Sequence, residues 1–142
     1  MQLDIAKTTI FKEAKSVSQS IKFKGITIRN FKSHFDVSFE TGDVNVFIGA
    51  NGSGKTSVLE AIGVLSAAMT DRVNNNSLQR KGVRLSTSSL YKSKFADIVK
   101  ESLTVEFSLK WGKDSHEYQY NTHLTAPVGD DSWKYHTESV SR

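Results

Sequence analysis

Eight residues, Gly49-Ala50-Asn51-Gly52-Ser53-Gly54-Lys55-Thr56, constrain this chain more than any other feature. They match the Walker A pattern G-x-x-x-x-G-K-[ST] in full. At average residue frequencies a chance match in a chain of this length arises on the order of one time in two hundred, and the flanking sequence makes chance a poorer explanation still. The preceding run VNVFI, residues 44–48, is mostly apolar and too short for a helix, which predicts a strand covered on both faces. After the loop, Val58, Leu59, Ile62 and Leu65 recur at intervals of three and four, predicting an amphipathic helix from Lys55 to about Met69. Strand, glycine loop and helix follow in the order that a phosphate-binding loop requires.

The residue types fit the chemistry. A triphosphate needs many donors in a small volume, so a loop wrapping it must turn its N–H groups inward, in conformations that glycine adopts without steric penalty. Gly49, Gly52 and Gly54 supply that freedom, with Asn51 and Ser53 between them. The helix beginning near Lys55 adds its unpaired N–H groups and the positive end of its dipole. Lys55 is expected to reach the β- and γ-phosphates and is the candidate catalytic residue, while Thr56 is expected to place its hydroxyl on Mg²⁺. Ser57 stands where it can hydrogen-bond the α-phosphate. The alternative, a glycine-rich turn that only joins a strand to a helix, has no reason to end in Gly-Lys-Thr at a helix start.

Around this core, residues 1–20 show weak periodicity and read as an N-terminal extension. Residues 21–30 and 35–40 alternate as two half-buried strands, and Thr41-Gly42-Asp43 after them is turn chemistry, so an antiparallel hairpin is expected. Residues 70–100 read as an irregular insertion, with a short helix near residues 91–99. Beyond it Leu103, Val105, Phe107 and Leu109, then Tyr118, Tyr120 and Leu124, then Trp133 and Tyr135 begin three strands, the first pair joined by Gly112-Lys113-Asp114-Ser115. The expected organisation is an extension over 1–20 and one domain over 21–142, divided into a P-loop core at 21–69, the insertion at 70–100 and a β meander at 101–142.

Composition excludes several classes. A length of 142 residues suits one domain, and 37% hydrophobic with 24% charged residues is ordinary for a globular chain. The apolar stretch at residues 61–69 is far below the roughly 18 residues of a membrane span, the first twenty residues hold no secretory apolar core, and the absence of cysteine removes disulfide and thiolate-metal frameworks. A cytoplasmic location is expected. The net charge of +4 is unevenly spread: residues 1–100 hold 15 Lys and Arg against 8 Asp and Glu, whereas residues 101–142 hold 4 against 7. The basic front section suits either a phosphate-bearing partner or a solvated basic face.

The order GITIRNFKSHFDVSFETGDVNVFIGANGSGKTSVLEAIGVLS resembles the N-terminal ATPase lobe of the SMC, RecF and OLD-like group of ABC ATPases, predicted AAA-type ATPases of bacterial defence and repair included. Two features carry the resemblance beyond a generic P-loop: Asn30-Phe31-Lys32-Ser33-His34 upstream, and GxNGSGK followed by Leu59-Glu60-Ala61-Ile62. The resemblance implies an α/β fold, a P-loop NTPase N-terminal lobe with an antiparallel β meander subdomain. It implies ATP and Mg²⁺ as ligands, with Lys32 approaching the nucleotide from the first hairpin and Asn51 close to the γ-phosphate, whereas His34 reads as a surface residue. No apolar run ending in Asp-Glu and no LSGG-like signature is present, and Asp97 and Glu138 lack the apolar lead. The resemblance therefore implies that hydrolysis needs elements outside this chain, from the rest of the ATPase or from a second copy in an ATP-sandwiched dimer, with DNA and a nuclease module as further partners and no membrane.

Two other readings compete. The basic residues Lys22, Lys24, Arg29, Lys32, Arg80, Lys81 and Arg84, with Phe31 and Phe35 among them, suit a nucleic-acid-binding module whose P-loop is vestigial. A transporter's nucleotide-binding subunit shares the P-loop but not the Asn-Phe-Lys-Ser element. No guanine-reading Asn-Lys-x-Asp is present.

Overall fold

Alternating apolar and polar residues organise five segments into one antiparallel sheet. The computed structural model describes residues 21–70, 72–86, 88–91, 104–113, 115–125 and 133–142. Its strands are β1 (Lys22–Phe31), β2 (His34–Glu40), β3 (Thr104–Lys113), β4 (His116–Thr125) and β5 (Lys134–Ser141), in the spatial order β2-β1-β3-β4-β5. The predicted β1–β2 hairpin is present, with Gly25 opposite Glu40 and Phe31 opposite His34, and so are the three later strands. Lys113 pairs with His116, so the connection is tighter than the four-residue turn expected, and Ser115 in it has φ +66.

Register places the core on one face. Ile26 pairs with Leu109 and Leu109 with Tyr120; in the next row Ile28 pairs with Phe107 and Phe107 with Thr122. All six are buried. Helix α1 (Lys55–Thr70) is present as predicted and supplies Val58, Ala61, Val64, Leu65 and Ala68 to the same cluster with Ile62 packed against it, but Leu59, counted in the predicted apolar face, is 59% exposed. At its far end, Tyr135 of β5 donates its hydroxyl proton to the carbonyl of Ala68 at 2.8 Å.

The sheet is antiparallel throughout, so the expected α/β character rests on one long helix against the sheet rather than on parallel strand–helix crossovers. Nor is the meander a separate layer: β3 pairs with β1 from Lys22–Gly112 to Arg29–Glu106, which makes β3–β5 an extension of the first hairpin. The stretch expected to be irregular holds helix α2 (Asn75–Arg80) and a 3-10 turn (Ser88–Tyr91). Asn74 caps α2 by accepting from Ser77 N, and Ser77 Oγ accepts from Asn74 N, a reciprocal capping box that starts a helix too short to show a period. The helix expected near residues 91–99 falls mostly outside the described residues.

The strand expected at residues 44–48 is overturned. Residues 44–48 form no strand, and Val44, Val46 and Ile48 are 83%, 75% and 91% exposed. A strand buried on both faces exists only between neighbours that pair with it, and all five described strands are engaged in the other sheet. Of the apolar residues in this run Phe47 alone packs against the core, its ring meeting Phe39 edge-on at 5.4 Å, while Asn45 bonds back to Gly42. No helix among the described residues is long and apolar enough to cross a membrane.

Candidate functional site

A cleft of about 700 Å³ opens at the N-terminus of α1, a size typical of small-molecule sites. Three segments line it: the β1–β2 turn with Lys32 and Ser33, the loop and helix start with Asn51, Gly52, Gly54, Lys55, Thr56 and Ser57, and the chain after α2 with Arg84, Ser86 and Leu90. Of the residues assigned to the nucleotide site from the sequence, Gly49 and Ser53 alone are not in the described lining. Both belong to the loop itself.

Backbone geometry explains the glycines. Gly52 and Gly54 have φ of +83 and +92, in the left-handed region. At Gly54 a Cβ would also lie 2.6 Å from Ser33 Oγ and 2.8 Å from His34 Cε1, so the loop packs on the hairpin turn only because that residue has no side chain. Val58 N, bonded to Gly54 O at 3.1 Å, gives the helix its first i→i−4 bond. The N–H groups of Lys55, Thr56 and Ser57 are therefore left at the helix start, where the dipole favours an anion. The Lys55 ammonium lies over the loop, donating to Gly49 O at 2.7 Å and Ala50 O at 2.6 Å. This donor set fits a phosphate chain, and the Thr56 hydroxyl beside it suits an oxygen-seeking cation such as Mg²⁺.

His34 departs from the surface role expected of it. It is 8% exposed, and its Nε2 lies 3.1 Å from Gly54 O. A carbonyl only accepts, so Nε2 carries the proton and His34 braces the loop from beneath.

The second wall is built around a buried acid. Glu60, 2% exposed on α1, accepts from Lys32 Nζ at 2.6 Å, from Arg84 Nε at 2.8 Å and from Arg84 N at 3.3 Å. Burial pushes its carboxyl up, but the hydrogen bonds from Arg84 and Lys32 outweigh this and hold it below the usual carboxylate range. The same contact raises the Arg84 pKa. Lys32 sits at φ +49 in the two-residue connection of the hairpin, its N–H bonded to Tyr91 O at 2.8 Å and its ammonium 5.1 Å from the Tyr91 ring centre.

The motif reading missed Glu60 and Arg84 as functional groups. Arg84 was visible only as one charge in a basic stretch. Glu60 carried a better signal: it shares a helix face with Val64 and Ala67, and an acid on an apolar face must find partners.

Comparison with known proteins places the chain in a family. The family model described as AAA ATPase domain matches residues 22–124. The chain is 41% identical over 75 residues to the DNA double-strand break repair Rad50 ATPase of Saccharolobus solfataricus, covering 51% of this chain and 8% of that protein. It is 33% identical over 72 residues to the DNA replication and repair protein RecF of Clostridioides difficile, covering 50% and 19%. It is also 34% identical over 79 residues to the cytochrome c biogenesis ATP-binding export protein CcmA of Saccharophagus degradans, covering 56% and 35%. The matches thus span between 8% and 35% of these relatives' lengths.

Proposed function

The chain belongs to the AAA ATPase domain family, and from that premise we propose that it is the ATP-binding N-terminal lobe of an SMC/RecF-like ABC ATPase that acts in DNA repair or defence. The observation that carries this reading is the cleft in which the loop and helix start face Lys32 and Arg84. Residues 21–142 form the lobe, with residues 1–20 preceding it. The DNA repair and replication roles that the Rad50 and RecF relatives are named for support the DNA-directed part.

In this reading the amides from Asn51 to Ser57, with Gly49 and Ser53 shaping the loop, surround the triphosphate of ATP. Lys55 exchanges its bonds to Gly49 O and Ala50 O for phosphate oxygens, a transfer from neutral to anionic acceptors that strengthens each bond. Thr56 holds Mg²⁺, which supplies charge neutralisation when bound. Lys32 stands on the opposite wall. Hydrolysis needs an acidic residue after an apolar strand and a signature segment from elsewhere in the protein or from a second copy, and it takes place in the cytoplasm. DNA and a nuclease module are the further partners of the assembled protein.

Calorimetric titration of the chain with MgATP tests the reading. Binding is expected, with Lys55→Ala weaker by about ten- to a hundredfold, the range of one charge-assisted hydrogen bond. Equal affinity in parent and variant would sink it. The similarity to CcmA motivates a second reading, a transporter's ATP-binding subunit; salt-sensitive DNA binding that strengthens with MgATP favours the first reading and its absence the second.

A further inference from the structure

We propose that Arg84 contacts the phosphate chain of the bound ligand, and that Glu60 is the residue that positions it. The proposal rests on the nucleotide reading of the cleft and assigns a role within it to a segment that the P-loop motif does not contain.

Charge and donors point first to Arg84. Among the described residues the cleft lining holds three cations, Lys32, Lys55 and Arg84, and no carboxylate. Lys32 is largely committed elsewhere: its side chain is 17% exposed, its ammonium is bonded to Glu60, and it lies above the rings of Phe31 and Tyr91. Arg84 is the opposite case. Its side chain is 74% exposed and attached to Glu60 through Nε alone. A guanidinium has five N–H donors in a planar fork. Those on the two terminal nitrogens have no acceptor among the described residues, and a fork of this kind is matched to phosphate oxygens.

Several residues converge to place this side chain. Gly63 on α1 admits the chain after α2: a Cβ there would meet Val83 Cγ2 at 2.6 Å and Lys81 O at 2.8 Å. Val83, 3% exposed, then seats the segment, which puts Arg84 beside Glu60. Tyr91 fixes the backbone of both cations, accepting from Lys32 N through its carbonyl at 2.8 Å and donating from its hydroxyl to Arg84 O at 3.0 Å. Glu60 fixes both side chains. An ion pair this exposed on its Arg side adds little stability, so stability does not account for a buried acid, a buried tyrosine and a glycine converging on it. A donor held in place before the ligand arrives does, because the ordering cost has been met in the folded chain.

Calorimetry on the full chain separates the outcomes, with MgATP and magnesium tripolyphosphate as probes at fixed ionic strength. Arg84→Ala is expected to weaken both probes about tenfold or more, with a thermal midpoint within about 2 °C of the parent. Arg84→Lys should recover only part of the loss, since an ammonium cannot hold Glu60 and present a fork together. Glu60→Gln should weaken both probes severalfold, and Glu60→Gln combined with Arg84→Ala should bind no more weakly than Arg84→Ala alone, the non-additivity of a residue acting through another. The assignment is overturned if Arg84→Ala holds tripolyphosphate as tightly as the parent, including when only ATP is lost, which would put the contact on the nucleoside. Additive losses in the double variant would overturn the role of Glu60. If the parent itself bound neither probe, the nucleotide reading would fall as well, a failure visible in the parent rather than in the variants.

Discussion

Gly63→Ala sets two effects of opposite sign against each other. In an exposed helix interior, replacing Gly by Ala stabilises by about 1 kcal/mol. Here the new methyl would stand 2.6 Å from Val83 Cγ2 and 2.8 Å from Lys81 O. The first contact can be relieved by rotating Val83, but only within a site where that residue is 3% exposed. The second is a backbone carbonyl in the turn that closes α2, where Lys81 N bonds to Leu78 O at 3.1 Å and Gly82 N to Gln79 O at 3.0 Å, so it moves only if the turn moves. Overpacking of this kind costs about 1–3 kcal/mol, and a rigid backbone partner places it in the upper half of that range. The net expectation is a loss of about 1–2 kcal/mol, a fall in thermal midpoint of roughly 3–6 °C. Circular dichroism melts of parent and variant read this directly. A midpoint that rose would show helix propensity winning and would refute the close packing that delivers Arg84 to Glu60.

Other expectations follow from single contacts. Because the folded-state pKa of Glu60 lies below its ordinary 4.5, its contribution to stability is full above that value and is lost as pH falls through the lower folded value; urea midpoints between pH 6 and 3 should therefore drop more steeply for the parent than for Glu60→Gln. Val46→Lys, at a site 75% exposed, should change the unfolding free energy of the chain by less than about 0.5 kcal/mol. Ile28→Ala, at a site 0% exposed in the centre of β1, should cost about 2–5 kcal/mol in the same urea titrations. Gly54→Ala should abolish MgATP binding in calorimetry, since it combines φ +92 with contacts of 2.6 and 2.8 Å to Ser33 and His34.

What was legible in the sequence was whatever a short window determines. Alternation disclosed β1 to β4, because each places one face toward the core and one in solvent; β5 is exposed along its whole length, and only Trp133 and Tyr135 at its start signalled it. The three- and four-residue spacing after Lys55 disclosed α1. The resemblance read from Asn30-Phe31-Lys32-Ser33 and the loop is borne out by the AAA ATPase domain match and by the similarity to Rad50 and RecF. What failed depends on distant neighbours. Residues 44–48 have the composition of a central strand, but pairing is a property of two segments, and among the described residues the second is missing. His34 looked like a surface residue because nothing nearby in sequence shows that Gly54, 20 positions on, brings a carbonyl to its ring. Glu60 and Arg84 are 24 positions apart, and only the packing of Val83 against α1 makes them neighbours.

The central claim, that the segment from Asn51 to Ser57 closes around a triphosphate, is tested most directly by following backbone amide resonances of the chain as MgATP is added. The largest shifts are expected at residues 51–57, with smaller ones at Lys32, Ser33, Arg84 and Ser86 on the facing wall. Amides in this loop that stay where they were, while others far from the cleft respond, would contradict the account.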